Sequence, residues 1–383
     1  MQPASLDVPA RTRIVAGSGC LGMLGELVGE LGVSRVLLVS DAGVVQAGHV
    51  ERALGVLRRH HVHAELFEDV EQNPTAGTVH RAADAARSAG AEGFVGLGGG
   101  SAMDTAKGAA LIACCGGRIE DYCGDGKAFG EVGPILCIPT TAGTGSEVQR
   151  FALISEDASH AKMAIGDARL AARVAVLDPA LTVTQPRGVT AHTGIDALAH
   201  ALESLVCRRA NRFSQMLSRQ AFLLLERSLP MVLEEPDHLA ARADCQLGAC
   251  LAGLAIELSM LGAAHSAANP LTAHAGVVHG QAVGVMLPAV LRLNCQSTPA
   301  WQEYGELARV AGLTADAGQA EVLIGRVERL LDQAGLHRSL GALGVDRGLV
   351  PTLAQEAAGQ WTAQYNPVAV GAEQFHALYE AAF

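Results

Sequence analysis

Short apolar runs alternate with helical stretches through the first half of the chain, and then the alternation stops. RVLLVSD (35–41), AELFEDV (64–70), GFVGLGG (93–99), PILCIPT (134–140) and RVAVLDP (173–179) read as buried or half-buried strands. Amphipathic stretches such as GHVERALGVLRRHH and TVHRAADAARSAG lie between them. Strand and helix in strict turn imply parallel pairing and a layered α/β domain. From Pro186 onward the pattern is helical only, in DALAHALESLVC, RQAFLLLERSL, LAARADCQLGACLAGLAIELSM, EVLIGRVERLLDQAG and EQFHALYEAAF. The expected architecture is therefore an α/β Rossmann-like domain over residues 1–185 and an all-α domain over 186–383. The turn residues of TVTQPRGVTAHTG mark the join. A length of 383 residues suits two cores, and 49% hydrophobic residues suffice to fill them.

Charge and cysteine usage exclude several classes. The net charge of -11 would repel a phosphate backbone, and no basic stripe offsets it, so nucleic-acid binding is not expected. The opening stretch MQPASLDVPARTRIVAG shows no basic segment followed by an apolar core, so export is not expected. No apolar run reaches the ~18 residues of a membrane span. The cysteines number nine, are scattered and form no CxxC pair, which argues against a zinc ribbon or disulfide scaffold and for a cytoplasmic protein with reduced thiols.

Gly96-Leu97-Gly98-Gly99-Gly100-Ser101 follows an apolar strand and opens the helical run AMDTAKGAALIA. Glycine lets backbone approach a ligand, and a helix N-terminus offers free N–H groups to a phosphate, although a bare glycine connection has the same composition. Asp41 ends an earlier strand, where its carboxylate suits the ribose hydroxyls of NAD(H) and repels the 2′-phosphate of NADP(H). It equally suits a helix cap. Asp41 precedes the glycine turn, the reverse of the usual dinucleotide order, which points to a variant sheet topology. Pro139-Thr140-Thr141-Ala142-Gly143-Thr144-Gly145-Ser146-Glu147 follows another strand and can line a cofactor groove with hydroxyls.

Asp196 and His200 are four residues apart in HTGIDALAHALES and share one helix face. His265 and His279 lie in HSAANPLTAHAGVVHG. On one continuous helix they would stand ~20 Å apart, too far to share an ion. Pro270 and Gly276 are the expected breaks that let the chain turn back. One carboxylate and three imidazoles suit Fe²⁺ or Zn²⁺ and not Mg²⁺ or Ca²⁺.

GLGGGSAMDTAK, IPTTAGTGSE, GIDALAHALES and HSAANPLTAHAGVVHGQAVGVMLP, in this order, resemble the iron-containing (group III) alcohol dehydrogenases over nearly the whole chain. The resemblance implies a metal-dependent oxidoreductase that interconverts an alcohol and its aldehyde or ketone with NAD(H). It also implies a cleft between the two domains and assembly as a homodimer or larger. Asp196, His200, His265 and His279 match the metal ligands. Asp41, Asn73, Gly98, Gly99, Ser101, Thr140, Thr141, Thr144 and Lys162, with Asp104 beside them, match the cofactor-binding positions. Many relatives carry a further histidine four residues after the third ligand. This chain has Asn269 there, an amide that cannot titrate near neutral pH, which leaves His274 or His192 as candidate replacements. A maleylacetate-type reductase is the nearest alternative. A dehydroquinate synthase-like lyase or a non-catalytic nucleotide-binding protein fits this ligand set less well.

Overall fold

The computed structural model describes residues 11–158, 161–313 and 318–383. Residues 1–10, part of the stretch read for an export signal, lie outside the described residues. Two compact units emerge. The first takes the chain to Pro139 together with Ser146–Ile154 and Met163–Leu177, and the second takes Thr140–Gly145, Ser155–Lys162 and Asp178–Phe383. The expected join at 185/186 is contiguous, whereas these units interleave: two short segments from the first half of the sequence pack with the second unit.

The strands of the first unit are β1 (Arg13–Ala16), β2 (Arg35–Val39), β3 (His63–Phe67), β4 (Gly93–Gly98), β5 (Gly124–Asp125), β6 (Ile135–Pro139), β7 (Phe151–Ser155), β8 (Lys162–Gly166) and β9 (Val174–Leu177). Its helices are α1 (Leu24–Glu30), α2 (Ala42–Gln46), α3 (His49–Arg59), α4 (Ala76–Ala89) and α5 (Gly100–Cys115). Six strands form a parallel sheet in the order β1-β9-β6-β4-β2-β3. Every residue of β4, β6 and β9 is buried, which explains runs without polar alternation. Four strands beyond the expected five appear: β1, and the small sheet β5-β8-β7.

From β2 the chain goes first to β3 on one side and then to β4 on the other. The direction of winding thus reverses between β2 and β4, and a crevice opens at the carboxyl ends of such a strand pair. Asp41 follows β2 and Gly98 ends β4, so the acidic residue and the glycine turn are neighbours although their chain order is inverted. Gly96 serves packing: a Cβ there would stand 2.8 Å from the Met103 Cα, so glycine lets α5 lie close on β4.

The second unit is helical, with α6 (Arg187–Val206), α7 (Arg212–Glu234), α8 (Leu239–Glu257), α9 (Ala263–Ala275), α10 (His279–Asn294), α11 (Thr298–Val310), α12 (Gln319–Ala334), α13 (Val350–Gly359) and α14 (Ala372–Ala381). Its core gathers small aliphatic side chains around Phe222, Tyr304, Phe375 and Tyr379. Helix α8 is long and apolar enough to cross a membrane by length and composition, and 61% of its apolar window is buried inside the protein. Pro270 does not break α9, contrary to expectation: the helix runs through it to Ala275, and Gly276 at φ 63 turns the chain alone. Pro230 and Pro288 are likewise inside helices. Burial on several sides outweighs the one ladder bond that each proline removes.

Candidate metal centre and cofactor-binding residues

Three imidazoles converge on one carboxylate. The Nε2 atoms of His265, His200 and His279 stand 3.2, 3.6 and 3.8 Å from the Asp196 Oδ1. Asp196 and His200 come from one face of α6, His265 from the first turn of α9, and His279 is the first residue of α10. The Gly276 turn brings the last two together across the gap that a straight helix would have left. Asp196, His200 and His265 are each 4–5% exposed. The His200 and His265 rings stack with centroids 4.7 Å apart.

The charge states suit a cation. Burial favours a neutral Asp196, but the surrounding imidazoles, His200 foremost, hold its carboxyl well below the usual carboxylate range. Burial lowers His200, and burial together with the Lys162 ammonium lowers His279 well below the ordinary imidazole value. Those two rings are thus neutral near pH 7, with lone pairs available. Burial also pulls His265 down, but the Glu203 and Asp196 carboxylates outweigh it and push it up to about 9, so this ring alone must give up its Nε2 proton to bind an ion.

Ligand atoms about 2.1 Å from a tetrahedral ion lie about 3.4 Å from one another. The Asp196, His265 and His279 ligand atoms all lie within 4.8 Å of one another, so these three fit a divalent ion of the Fe²⁺ or Zn²⁺ type, with His200 adjoining at 3.6 Å from Asp196. Sequence reasoning missed Glu203. Its Oε2 lies 2.5 Å from the His265 Nδ1 and its Oε1 accepts from the Ala264 N–H at 2.7 Å. This fixes the His265 ring and keeps a proton on Nδ1, leaving Nε2 to face the ion. The signal was present as the spacing Asp196, His200, Glu203, which is one helix face at i, i+4, i+7.

In the first unit, Asp41 is a helix cap that also lies beside the glycine turn. Its Oδ1 accepts from the Val44 N–H at 3.0 Å and so caps α2, while its Oδ2 would stand 3.2 Å from a Cβ on Gly98. Gly98 is at φ 155 and Gly99 caps α5 with no side chain of its own, which leaves the first N–H groups of α5 open. Ser101, on the first turn of that helix, makes no side-chain hydrogen bond among the described residues. Asn73 is left-handed at φ 56 just before Pro74 and α4.

Asp104 is anchored by protein on both carboxylate oxygens. Its Oδ1 accepts from the Ser146 hydroxyl at 2.5 Å and its Oδ2 from the Leu153 N–H at 3.0 Å, beside the Lys107 ammonium at 3.7 Å. A protein donor reaches each oxygen, so Asp104 ties the 146–153 segment to α5.

In the second unit, Thr140 is 5% exposed, and neither its hydroxyl nor that of Thr141 bonds to protein among the described residues. Thr144 is half-buried on the same loop, and Lys162 is near enough to His279 for its charge to act there.

The candidates for proton handling separate. His274 is a correction: its Nε2 pairs with Glu356 at 2.8 Å and 36% of its side chain is exposed, near the far end of α9 from His265. His192 lies one turn before Asp196 on α6, half-buried, and burial lowers its pKa. Asn269, one turn after His265, donates Nδ2–H to the Gln360 Oε1 at 3.0 Å. With α9 continuing past it, Asn269 is not a helix cap.

Comparison with known proteins decides the family. The profile described as "Iron-containing alcohol dehydrogenase" matches residues 11–179, and that described as "Fe-containing alcohol dehydrogenase family, C-terminal" matches residues 190–383. The chain belongs to the iron-containing alcohol dehydrogenase family. Among its relatives is the NAD-dependent methanol dehydrogenase of Bacillus methanolicus, 32% identical over 92% of this chain and 93% of that protein. The crystal structure of a 1,3-propanediol oxidoreductase superposes with a TM-score of 0.95 at 30% identity, covering 99% of this chain and 100% of the other. Sulfoacetaldehyde reductase from Bifidobacterium kashiwanohense in complex with NAD+ gives 0.91 at 27% identity, over 99% and 98%. This iron-containing alcohol dehydrogenase thus shares fold and family over its whole described length with enzymes of several small substrates.

Proposed function

We propose that this protein interconverts a small alcohol and its aldehyde or ketone with NAD(H), using a divalent ion held by Asp196, His200, His265 and His279. The observation that carries the reading is the convergence of three imidazole Nε2 atoms on one buried carboxylate oxygen. When bound, the ion supplies Lewis-acid polarisation of the substrate oxygen and the nicotinamide supplies or accepts the hydride. The chain's own residues prepare those events. Glu203 fixes the tautomer and aim of His265. Asp196 brings the only anionic donor, so the ion keeps net positive charge. The open N-terminus of α5 and the Ser101 hydroxyl offer donors to the pyrophosphate, and the Asp41 Oδ2 offers an acceptor to the adenosine ribose. Thr140, Thr141, Thr144 and Lys162 offer further donors, and Asn73 fits the same role. His192, on the Asp196 face of α6, is the proposed proton acceptor.

The nine thiols, none in a disulfide, support a cytoplasmic location. The exposed edge strand β1 supports assembly as a homodimer or larger, which sedimentation would test. The enzyme test is a panel of aldehydes with NADH on protein reconstituted separately with Fe²⁺ and Zn²⁺. Consumption of NADH that a chelator abolishes is expected. A fully metal-loaded protein inert toward every aldehyde would refute the proposal.

A further inference from the structure

We propose that Arg242 and Gln185 are positioning residues for the cofactor, acting through the backbone of Thr140. This rests on the reading above that Thr140 binds NAD(H). Arg242, on α8, is 2% exposed. A guanidinium stays charged at any ordinary pH, and burying it is costly unless an acid lies beside it. No carboxylate lies within 4 Å of Arg242 among the described residues. Instead its Nε donates to the Pro236 carbonyl at 2.8 Å, and one terminal nitrogen donates to the Gln185 Oε1 at 3.2 Å and the Thr190 Oγ1 at 3.1 Å.

The Thr190 hydroxyl donates in turn to the same Gln185 Oε1, at 3.2 Å. With two donors on its oxygen, the Gln185 amide has only one orientation open to it. Its Nε2 therefore points the other way and donates to the Thr140 carbonyl at 2.7 Å. A buried positive charge thus polarises an amide whose far end grips one peptide of the threonine loop.

The rest of that loop has no slack. A Cβ on Gly143 would stand 2.6 Å from the Thr193 Cβ on α6, and one on Gly145, at φ 64, would stand 2.5 Å from the Gly253 Cα on α8. Both glycines are needed because the loop lies flat on two helices, which is a different reason from close approach to a ligand. Gln185 fixes the end of the loop where buried Thr140 has no hydroxyl bond to protein among the described residues. A shift of that peptide would move the hydroxyl with it.

Gln185→Glu separates positioning from mere support. A glutamate keeps an oxygen for Arg242 and Thr190 and gains an ion pair, yet it turns an oxygen toward the Thr140 carbonyl where a donor stood. The expected result is a melting temperature and metal content at or above those of the wild type. NADH affinity, read by fluorescence titration of the metal-loaded protein, should weaken about tenfold, with kcat at saturating NADH within about twofold. Arg242→Lys, which keeps the charge but cannot span the Pro236 carbonyl and Gln185 together, should weaken NADH binding about threefold. The control is Thr140→Val. If Thr140→Val leaves NADH affinity unchanged, Thr140 does not bind the cofactor and the reading beneath the inference falls. If Thr140→Val weakens binding while Gln185→Glu and Arg242→Lys do not, the positioning role is overturned and the cofactor reading stands.

Discussion

Glu203→Gln tests the metal centre without touching a proposed ligand. In the wild type one carboxylate answers two donors: Oε2 takes the His265 Nδ1–H at 2.5 Å and Oε1 takes the Ala264 N–H at 2.7 Å. Glutamine has a single oxygen. If it faces Ala264, an NH2 group meets Nδ1, so the imidazole must move its proton to Nε2 and lose the lone pair aimed at the ion. If it faces Nδ1, the NH2 group meets the Ala264 N–H in a site 2% exposed, where water cannot repair the clash. Either way His265 is a poorer ligand. Loss of such an orienting partner typically lowers metal affinity 10–100-fold, about 1.4–2.7 kcal/mol. Competition of the purified protein against a chromophoric chelator measures this directly, with circular dichroism confirming the helical content. Wild-type affinity in a folded Glu203→Gln protein would refute the argument, because His265 would then need no fixed tautomer.

Three more outcomes are expected. Glu147 is 2% exposed, and burial raises its pKa from 4.5 to about 7, so its contribution to stability is complete below pH 4.5 and is lost as pH rises through 7. Glu147→Gln should therefore gain on the wild type by at most about 3 kcal/mol between those pH values, and a stability difference flat from pH 4.5 to 8 would show that the carboxyl is not desolvated. Asp41→Ser keeps an oxygen for the Val44 N–H but removes the charge. It should narrow the NADH preference by on the order of 1–4 kcal/mol, and a wild type that favours NADPH would show Asp41 facing elsewhere. Asn269→His places an imidazole one turn from His265 and breaks the bond to Gln360. A new inflection near the imidazole range is expected in the pH–rate profile at unchanged metal content, and an unaltered profile would remove residue 269 from the reacting centre.

What the sequence carried and what it hid divide along physical lines. Fully buried parallel strands such as β4 and β6 announce themselves as apolar runs, and amphipathic helices by their period. β1 is largely exposed and β5 is two residues long, so neither has a burial pattern to read; pairing alone defines them. Asp104 sits close to the glycine turn in sequence, yet sequence does not give side-chain direction, and its carboxylate turns to Ser146 and Leu153. His274 looked available as a titratable group close to Asn269 in sequence, but it faces Glu356 near the far end of α9. Glu203 was legible from spacing, and a search for ligands alone overlooks an acid that touches only a histidine.

The seating of Gly145 against Gly253 has a consequence for biogenesis. Roughly a hundred residues must still be synthesised after the threonine loop before its helical seat exists, about 5–20 s at ordinary translation rates. The six-stranded sheet can complete within that interval, since β9 ends at Leu177. The threonine loop at 140–145 must meanwhile wait for its helical seat. A truncated chain that starts at Asp178 would carry the helical half with an uncovered seat at Thr193 and Gly253. It should be sticky when expressed alone and recover when the missing half is supplied in trans.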